Sequence, residues 1–246
     1  MKRHHPAWLV AAAVLLAQPA AAGSWSDAFG DALEAVPGGE SEENEQLDTA
    51  TIAGGLKDAL RLAVTRTTER VGQPGGFADD PDIHIPLPKT LRTVQDTLDR
   101  VGMAGTANEL ERRLNRAAEQ AAPKARDILI DAAMGMQLAD ARKILTGPDD
   151  AATQYFRRTS TEDLRAALRP IVDRQLQDAG ALQTYERIVQ SYDGIPFVSA
   201  PTADMTGYTV GKALDGIFHY VAKEEARIRE NPAARTTSLL KTVFGG

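Results

Sequence analysis

Three polar side chains at helical spacing are the best candidates for chemistry in this sequence. Glu111, Asn115 and Glu119 follow one another at intervals of four residues, and Arg116 lies beside them. On a helix this spacing places all three on one side, along the edge of an apolar stripe. Two carboxylates and an amide at a seam between helices could coordinate an ion or act as acid and base. The alternative, which we favour, is a buried hydrogen-bond network that fixes the register of the helices.

Thr153 and Tyr155 form a second candidate binding cluster, because a hydroxyl and a phenol lie two residues apart beside Phe156. Such a group could line a pocket. Packing in the core with one satisfied hydroxyl accounts for the same residues, and we favour that interpretation.

An acidic loop contains one of the two histidines that follow residue 22. His84 lies close to Asp79, Asp80 and Asp82, and carboxylates with an imidazole could hold a divalent ion. Aspartates also favour turns, and we prefer that explanation. We expect neither a metal site nor a cofactor.

The polar residues of the last long helical segment fit an ordinary helix surface. His219 lies four residues after Asp215 and is interpreted as a solvated surface residue. Glu225 and Arg229 are spaced i, i+4, which predicts an exposed ion pair with a small effect on stability.

The elements that must position these residues are predicted to be helices. Apolar residues recur every three or four positions along most of the chain after residue 47, and no convincing pair of strands is found. Pro123 is expected to kink a helix or to begin a new one, and a long helix must accommodate Pro170. The sequence therefore predicts an all-α bundle of about eight to ten helices with irregular, proline-rich loops. The predicted helical segments, in which Thr106–Ala121 and 123–136 are one helix if Pro123 only kinks it, are Ser24–Ala35, Asp48–Val71, Lys89–Val101, Thr106–Ala121, 123–136, Asp140–Leu145, Asp150–Arg158, Thr161–Asp178, Leu182–Tyr192, Met205–Glu230 and Ala233–Phe244.

The segment from Phe77 to Pro88 is predicted to be an extended loop. Ile83, Ile85 and Leu87 alternate as in a strand, but the prolines at positions 81, 86 and 88 exclude a regular interior strand. Together with a second irregular segment near residues 193–204, this loop could border a cleft.

The first 22 residues have the three parts of a secretory leader. Two basic residues precede an apolar run over Ala7–Ala17, and a small-residue site ends at Ala22. The run is shorter than the roughly 20 residues that span a bilayer. We therefore expect cleavage after Ala22 and export, most simply to a bacterial periplasm.

Composition and charge narrow the class of protein further. The chain is 43% hydrophobic and has no cysteine, which suits a soluble globular fold and excludes a disulfide scaffold or a cysteine nucleophile. Cleavage would leave 26 basic and 34 acidic residues, a formal charge of −8. An acidic surface repels nucleic acid, so we expect no nucleic-acid partner, and no transmembrane span after cleavage. Residues 23–47 are predicted to be a short N-terminal segment and acidic linker, and residues 48–246 a helical domain.

Six short strings, taken in order, resemble a known family. They read GLKDAL from Gly55, IPLP from Ile85, NRAAE from Asn115, DAxxILxG from Asp140, AATxYF from Ala151 and TTxLLKxVFG from Thr236. In this order they resemble the bacterial family of unknown function DUF4197, over about residues 50–245. The resemblance implies an exported, mostly helical protein without an assigned activity or cofactor, and it supplies no catalytic residue.

These features favour a non-enzymatic binding or interaction protein of the periplasm, which holds an apolar or amphipathic ligand or a segment of a partner protein. One alternative is an ion-dependent enzyme built on Glu111, Asn115 and Glu119. Another is a structural envelope protein whose terminal segments, Trp25–Leu33 and Leu239–Phe244, dock onto a partner.

Overall fold

The computed structural model describes residues 42–92, 104–190 and 204–230. Within these ranges the chain is helical apart from turns and irregular connections, and it contains no strand. The helices are α1 (Glu42–Gly72), α2 (Lys89–Arg92), α3 (Ala104–Met134), α4 (Leu138–Leu145), α5 (Ala151–Asp178), α6 (Ala181–Gln190) and α7 (Met205–Glu230). The predicted all-α class is confirmed for this part of the chain.

The helices are fewer and longer than the sequence predicted. In the described ranges, six helices of eight residues or more and the single turn α2 replace the expected eight to ten. One expected boundary is absent, because α5 joins the two helices predicted on either side of residue 160. Of the two alternatives at Pro123, the structure supports the continuous helix, since α3 runs through the proline. The prediction of helix number was therefore wrong, since it divided continuous helices into shorter segments.

Tertiary packing explains why the prolines do not end these helices. A proline inside a helix costs about 3 kcal/mol. Pro123 lies against Gly72 of α1, where an added Cβ would be 3.5 Å from the proline Cδ. Leu168 and Val172 are fully buried on either side of Pro170. Burial of apolar side chains before and after each proline offsets the local cost.

Several predicted elements lie outside the described residues. They are the leader 1–22, the helix Ser24–Ala35, most of the helix Lys89–Val101, the loop 193–203 and the helix Ala233–Phe244. α1 begins at Glu42, which is six residues before the helix start predicted at Asp48 and lies inside the stretch assigned to an acidic linker.

Four long helices form the body of the described structure. α1 and α5 each pack against both α3 and α7, and α3 and α7 also touch each other. The two short helices complete the packing, with α4 against α1 and α5, and α6 against α3 and α5. Their inward faces are rich in alanine and leucine, with Phe156 and Phe218 buried among them. Burial of these apolar faces supplies most of the stability of such helices.

Residues 73–88, here called the strap, connect α1 to α2 without forming a strand. The strap is part of the core, because its large apolar side chains are buried: Phe77, Ile83, Ile85 and Leu87. The Phe77 ring lies against Gly216 of α7, where an added Cβ would come within 2.6 Å of the ring. A residue larger than glycine at position 216 would therefore prevent the strap from packing this closely.

Candidate functional site

The polar column, which comprises Glu111, Asn115 and Glu119 of α3, faces the strap. Asn115 is fully buried and Glu119 is 3% exposed, whereas the Glu111 side chain is 26% exposed. A buried irregular segment has backbone N–H and C=O groups that no secondary structure satisfies. The three side chains of the column supply partners for these groups.

Asn115 pairs with one residue of the strap in both directions. The backbone N–H of Ile85 donates to Asn115 Oδ1 at 2.8 Å, and Asn115 Nδ2 donates to the Ile85 carbonyl, also at 2.8 Å. Nδ2 makes a further bond of 2.9 Å to the carbonyl of Glu111. The side-chain amide therefore takes the place of a neighbouring strand at Ile85.

The two carboxylates of the column accept hydrogen bonds from other backbone groups of the strap. The N–H groups of Phe77 and Ala78 both donate to Glu119 Oε1 at 3.2 Å. The N–H of Leu87 donates to Glu111 Oε2 at 3.0 Å. Both sequence interpretations placed the column at a seam between helices, whereas the contacts join it to the strap.

His84 ties the strap to the same column. Its Nδ1 lies 2.9 Å from the carbonyl oxygen of Ala78, and its Nε2 lies 2.9 Å from Glu111 Oε1. Both partners are acceptors, so both contacts are hydrogen bonds only when each ring nitrogen carries a proton.

Arg116, the remaining residue of the candidate cluster on α3, lies at the surface. Its side chain is 58% exposed, and its Nη1 is 3.9 Å from Glu119 Oε2. The structure therefore brings three of the four predicted residues onto the strap and leaves the arginine in solvent.

The other side of the strap is held by ion pairs to α1 and α7. The Tyr220 hydroxyl donates to Asp80 Oδ2 at 2.5 Å, and Arg70 Nη2 donates to the same oxygen at 3.1 Å. Burial acts to raise the pKa of Asp80, but these two hydrogen bonds outweigh it and hold the pKa below its ordinary value. Lys223 Nζ donates to Asp82 at 2.6 Å, which lowers the pKa of that carboxyl too.

No metal-binding cluster is formed by the described residues, since nowhere among them do three histidine, aspartate or glutamate side chains converge suitably. Asp80 and Asp82 of the strap instead contact basic and phenolic side chains. His219 is partly exposed, but its Nε2 atom is buried, lies 3.7 Å from Asp82 Oδ2 and has no hydrogen-bond partner among the described residues.

Glu225 and Arg229 of α7 form a buried pair, so the prediction of an exposed pair was wrong. Their side chains are 4% and 6% exposed, and they are joined by a hydrogen bond of 2.9 Å. The Glu225 carboxylate also accepts from the N–H groups of Ala152 and Thr153, at 2.8 and 2.9 Å, and from the Thr153 hydroxyl. Arg229 Nη2 donates to the carbonyl of Ile144. The pair therefore joins α7 to α4 and α5.

Glu225 caps α5 from a different helix. The first N–H groups of a helix have no partner within it, and the N-cap residue Asp150 makes no side-chain capping bond. A carboxylate at this position also interacts favourably with the helix dipole. The sequence does contain a signal for this role, because Glu225 falls on the apolar stripe between Val221 and Ile228, both of which are buried.

Thr153 and Tyr155 do not form one site. The Thr153 hydroxyl donates to Glu225 on α7. The Tyr155 hydroxyl donates instead to the carbonyl of Ala132 on α3, at 3.2 Å, and burial raises the pKa of this phenol. The two side chains therefore contact different helices on two sides of α5.

A groove of about 480 Å³ lies between the end of α3 and the first half of α5. Apolar, hydroxyl and acidic residues line it: Ile128, Asp131, Ala132, Gly135, Tyr155, Thr159, Ser160 and Asp163. Met134 and Leu138 adjoin it in sequence and are 48% and 50% exposed, and they are the large apolar side chains that stand exposed in the described part of the chain. The groove is the surface feature best suited to contact another apolar surface.

The core itself holds little empty space where α1, α4, α5 and α7 meet. A cavity lined by Leu56, Leu60 and Ile228, among others, has a volume of about 10 Å³. That is room for about one water molecule. An apolar ligand of ordinary size does not fit there, and the strap lies against α3 and α7 rather than over a cleft.

The described chain is thus an all-α bundle in which side chains of neighbouring helices hold an irregular strap in the core. The chain belongs to DUF4197, a protein family of unknown function, whose family model matches residues 46–245. The match spans the polar column, the strap and the groove, and it confirms the resemblance found in the sequence. No curated protein and no solved structure matches the chain significantly. Of the helices in residues 42–92, 104–190 and 204–230, none combines the length and hydropathy needed to cross a membrane.

Proposed function

We propose that this protein is an exported, non-enzymatic interaction protein of the periplasm, and that its groove between α3 and α5 docks a basic amphipathic helix of a partner protein. The observation that carries the proposal is the groove with its apolar and acidic lining, together with two exposed apolar side chains close to it in sequence: Met134, which precedes the lining residue Gly135, and Leu138, which follows it by three residues. Large apolar side chains exposed at a concave surface are typical of protein–protein contact sites.

The length and charge of the groove favour a helix as the docked element. From Tyr155 to Asp163 the groove follows α5 over nine residues, a rise of about 12 Å, which accommodates two or three anchoring side chains at helical spacing. Asp131 and Asp163 both belong to the lining. They favour a partner that carries lysine or arginine beside its apolar face.

The contacts of the polar column make the enzyme alternative weaker. Asn115 and Glu119 are buried, and both amide atoms of Asn115 and the Oε1 atom of Glu119 are bound to the backbone of the strap. An acid–base residue or an ion ligand must instead reach a substrate or an ion. The alternative of a structural envelope protein depends on terminal segments that lie outside the described residues, so it gains no support from this geometry.

Docking is tested with the full chain and a defined peptide. A photo-crosslinking amino acid replaces Leu138, and the probe is a synthetic helix with leucines at i, i+3, i+4 and i+7 and flanking lysines. We expect at least about tenfold more cross-linked product than with a scrambled peptide of the same composition, which corresponds to about 1.4 kcal/mol of preference. The control places the same amino acid at Arg112, whose side chain is 66% exposed on the distant part of α3. Equal yields from the two peptides, or from the two positions, would contradict docking in the groove.

Export is tested separately by fractionating cells that express the full chain. The expected periplasmic product begins at Gly23, as measured by intact mass. A product that keeps residues 1–22 and stays in the cytoplasm would overturn the proposed location but not the proposed docking surface.

A further inference from the structure

We infer that the groove aspartates, Asp131 and Asp163, select the helices that the groove accepts, by binding two basic residues that lie four positions apart at one end of the partner's apolar face. The inference rests on the proposed function, because it concerns the same groove, and it adds the spacing and the placement of the basic residues on a partner helix. Three observations support it: the direction of the two walls, the positions of the groove aspartates along them, and the absence of a bonding partner for either carboxylate among the described residues.

The two walls of the groove run in opposite directions. The hydroxyl of Tyr155, near the start of α5, donates to the carbonyl of Ala132, near the end of α3. At the other end of α5, the carbonyl of Ala179 accepts from Arg113, which lies in the first third of α3. Because α3 and α5 are therefore antiparallel, the last lining residues of α3 lie opposite the first lining residues of α5.

The groove aspartates lie on opposite walls, about one helical turn apart along the groove. The α3 wall extends from Ile128 to Gly135, with Asp131 near its middle. The α5 wall extends from Tyr155 to Asp163. One end of the groove therefore lies at Gly135 and Tyr155, and Asp163 lies at the other. Asp131 and Asp163 are separated along the helix axes by about half the length of the groove, or about 6 Å, which is the rise of four helical residues.

Neither groove aspartate is neutralised by another group in the described part of the chain. Their exposed carboxylates form no ion pair and no side-chain hydrogen bond there. Other acidic residues of the same two helices do have partners. Asp127 of α3 pairs with Arg126, and Glu162 of α5 accepts from Arg165 at 2.8 Å. The groove aspartates are therefore available to two cations of one docked helix, and their negative charge favours such a helix over a neutral one.

The other end of the groove suits the apolar part of a docked helix. The lining residues at that end, Gly135 and Tyr155, are uncharged, and the Tyr155 hydroxyl is already bonded to α3. The exposed side chains of Met134 and Leu138 are close to Gly135 in sequence. A docked helix should therefore place its apolar residues at this end and its basic pair beside the groove aspartates.

Two synthetic helical peptides of identical composition test this spacing with the full chain. Both have leucines at i, i+3, i+4 and i+7. In the first peptide two lysines lie four positions apart at one end, and in the second peptide one lysine lies at each end. We expect the first peptide to bind about threefold more tightly or better in a titration at low salt, because the second can place only one lysine beside a groove aspartate.

Replacing both groove aspartates in one variant, Asp131→Asn with Asp163→Asn, removes the charges and keeps the shape of the side chains. This variant should bind the two peptides equally, and its affinity for the first should fall about threefold or more. The control is Asp127→Asn, whose carboxylate is 56% exposed one turn before Asp131 and is not part of the lining. It should keep the preference of the unchanged chain. Unfolding in urea should give the same midpoint for the double variant as for the unchanged chain, since neither groove carboxylate bonds to the described fold.

The outcomes separate this inference from the proposed function. Equal affinities of the two peptides for the unchanged chain, or a preference that persists in the double variant, would overturn the inference and leave docking in the groove intact. An effect of Asp127→Asn as large as that of the double variant would also overturn it, because the overall negative charge would then attract the peptide. Binding of neither peptide would contradict both the inference and the proposed function.

Discussion

Glu119 of the polar column and Glu225 of α7 perform the same task in different surroundings. Each buried carboxylate accepts hydrogen bonds from the N–H groups of two consecutive residues, Phe77 and Ala78 for the first and Ala152 and Thr153 for the second. Glu225 lies at a helix N-terminus and is neutralised by Arg229, which is buried with it. Glu119 serves an irregular segment, and the guanidinium of Arg116 is 3.9 Å away and mostly exposed.

The two regions differ in how the hydrogen bonds are distributed. Glu225 alone makes three contacts with α5 and one with Arg229. The bonds that hold the strap are divided among three side chains of α3 and further contacts from α1 and α7. Loss of a single side chain should therefore destabilise the fold more when that side chain caps α5 than when it holds the strap.

Glu225→Ala should cause the largest loss of stability. It leaves Arg229 buried without its carboxylate and removes the acceptor of two N–H groups at the start of α5. Breaking a buried pair in this way costs about 3–5 kcal/mol. The measurement is the free energy of unfolding in urea, compared with Glu224→Ala, whose partly exposed neighbouring carboxylate should cost under about 1 kcal/mol. Similar losses in the two variants would show that Glu225 has no special role.

Asn115→Ala should follow with a smaller loss. The N–H and C=O of Ile85 would then lose their partners. We expect a total loss of about 2 kcal/mol, at the lower end of the cost of two unsatisfied groups, because no buried charge is left unpaired and the remaining contacts keep part of the strap in place. Hydrogen exchange of the strap should accelerate more than exchange of α5. Arg116→Ala is the matched control, and should change stability by under about 0.5 kcal/mol. A loss in Asn115→Ala as large as that in Glu225→Ala would remove the proposed difference between the two regions.

The helices themselves were largely predictable from the sequence, because apolar periodicity reports directly on the buried face. Met205–Glu230 is a helix with the predicted bounds, and Leu110, Leu114 and Ala118 are fully buried as their spacing requires. The number of helices was not predictable in this way. Pro170 was correctly predicted to lie inside a helix, but at Pro123 and between Arg158 and Thr161 the local pattern does not decide whether a helix continues, and tertiary packing does.

The local sequence pattern could not identify the groups to which the polar residues bind. The helical spacing of Glu111, Asn115 and Glu119 showed that they share a face, but the groups they bind lie 24 to 42 residues earlier in an irregular segment. Glu225 was misassigned because a pair at i, i+4 looks the same whether it is exposed or buried. Its position on the apolar stripe of α7 was the stronger signal.

Acid should weaken the strap through Asp80. Hydrogen bonds from Tyr220 and Arg70 keep the pKa of Asp80 low despite its burial, so its contribution to stability is complete above the ordinary aspartate pKa of about 4 and is lost as the pH falls through the lower folded value. Tyr220→Phe removes one of these bonds. It should lower the free energy of unfolding at pH 7 by about 1 kcal/mol and by less at pH 3. An equal effect at both pH values would show that the Tyr220 contact is independent of the charge of Asp80.

Leu138→Ser should have the smallest effect on stability, because its side chain takes no part in either the cap or the strap. Half of that side chain is exposed, and substitutions of this kind usually change stability by under about 0.5 kcal/mol. The same variant should nevertheless weaken binding of the basic amphipathic peptide, measured by titration with the full chain, by several fold. Leu145→Ser, at a buried position on the same short helix, is the opposite control, and should destabilise the fold. If Leu138→Ser destabilises the protein as much as Leu145→Ser does, then the Leu138 side chain stabilises the fold. Its exposure would then no longer support the groove as a binding surface.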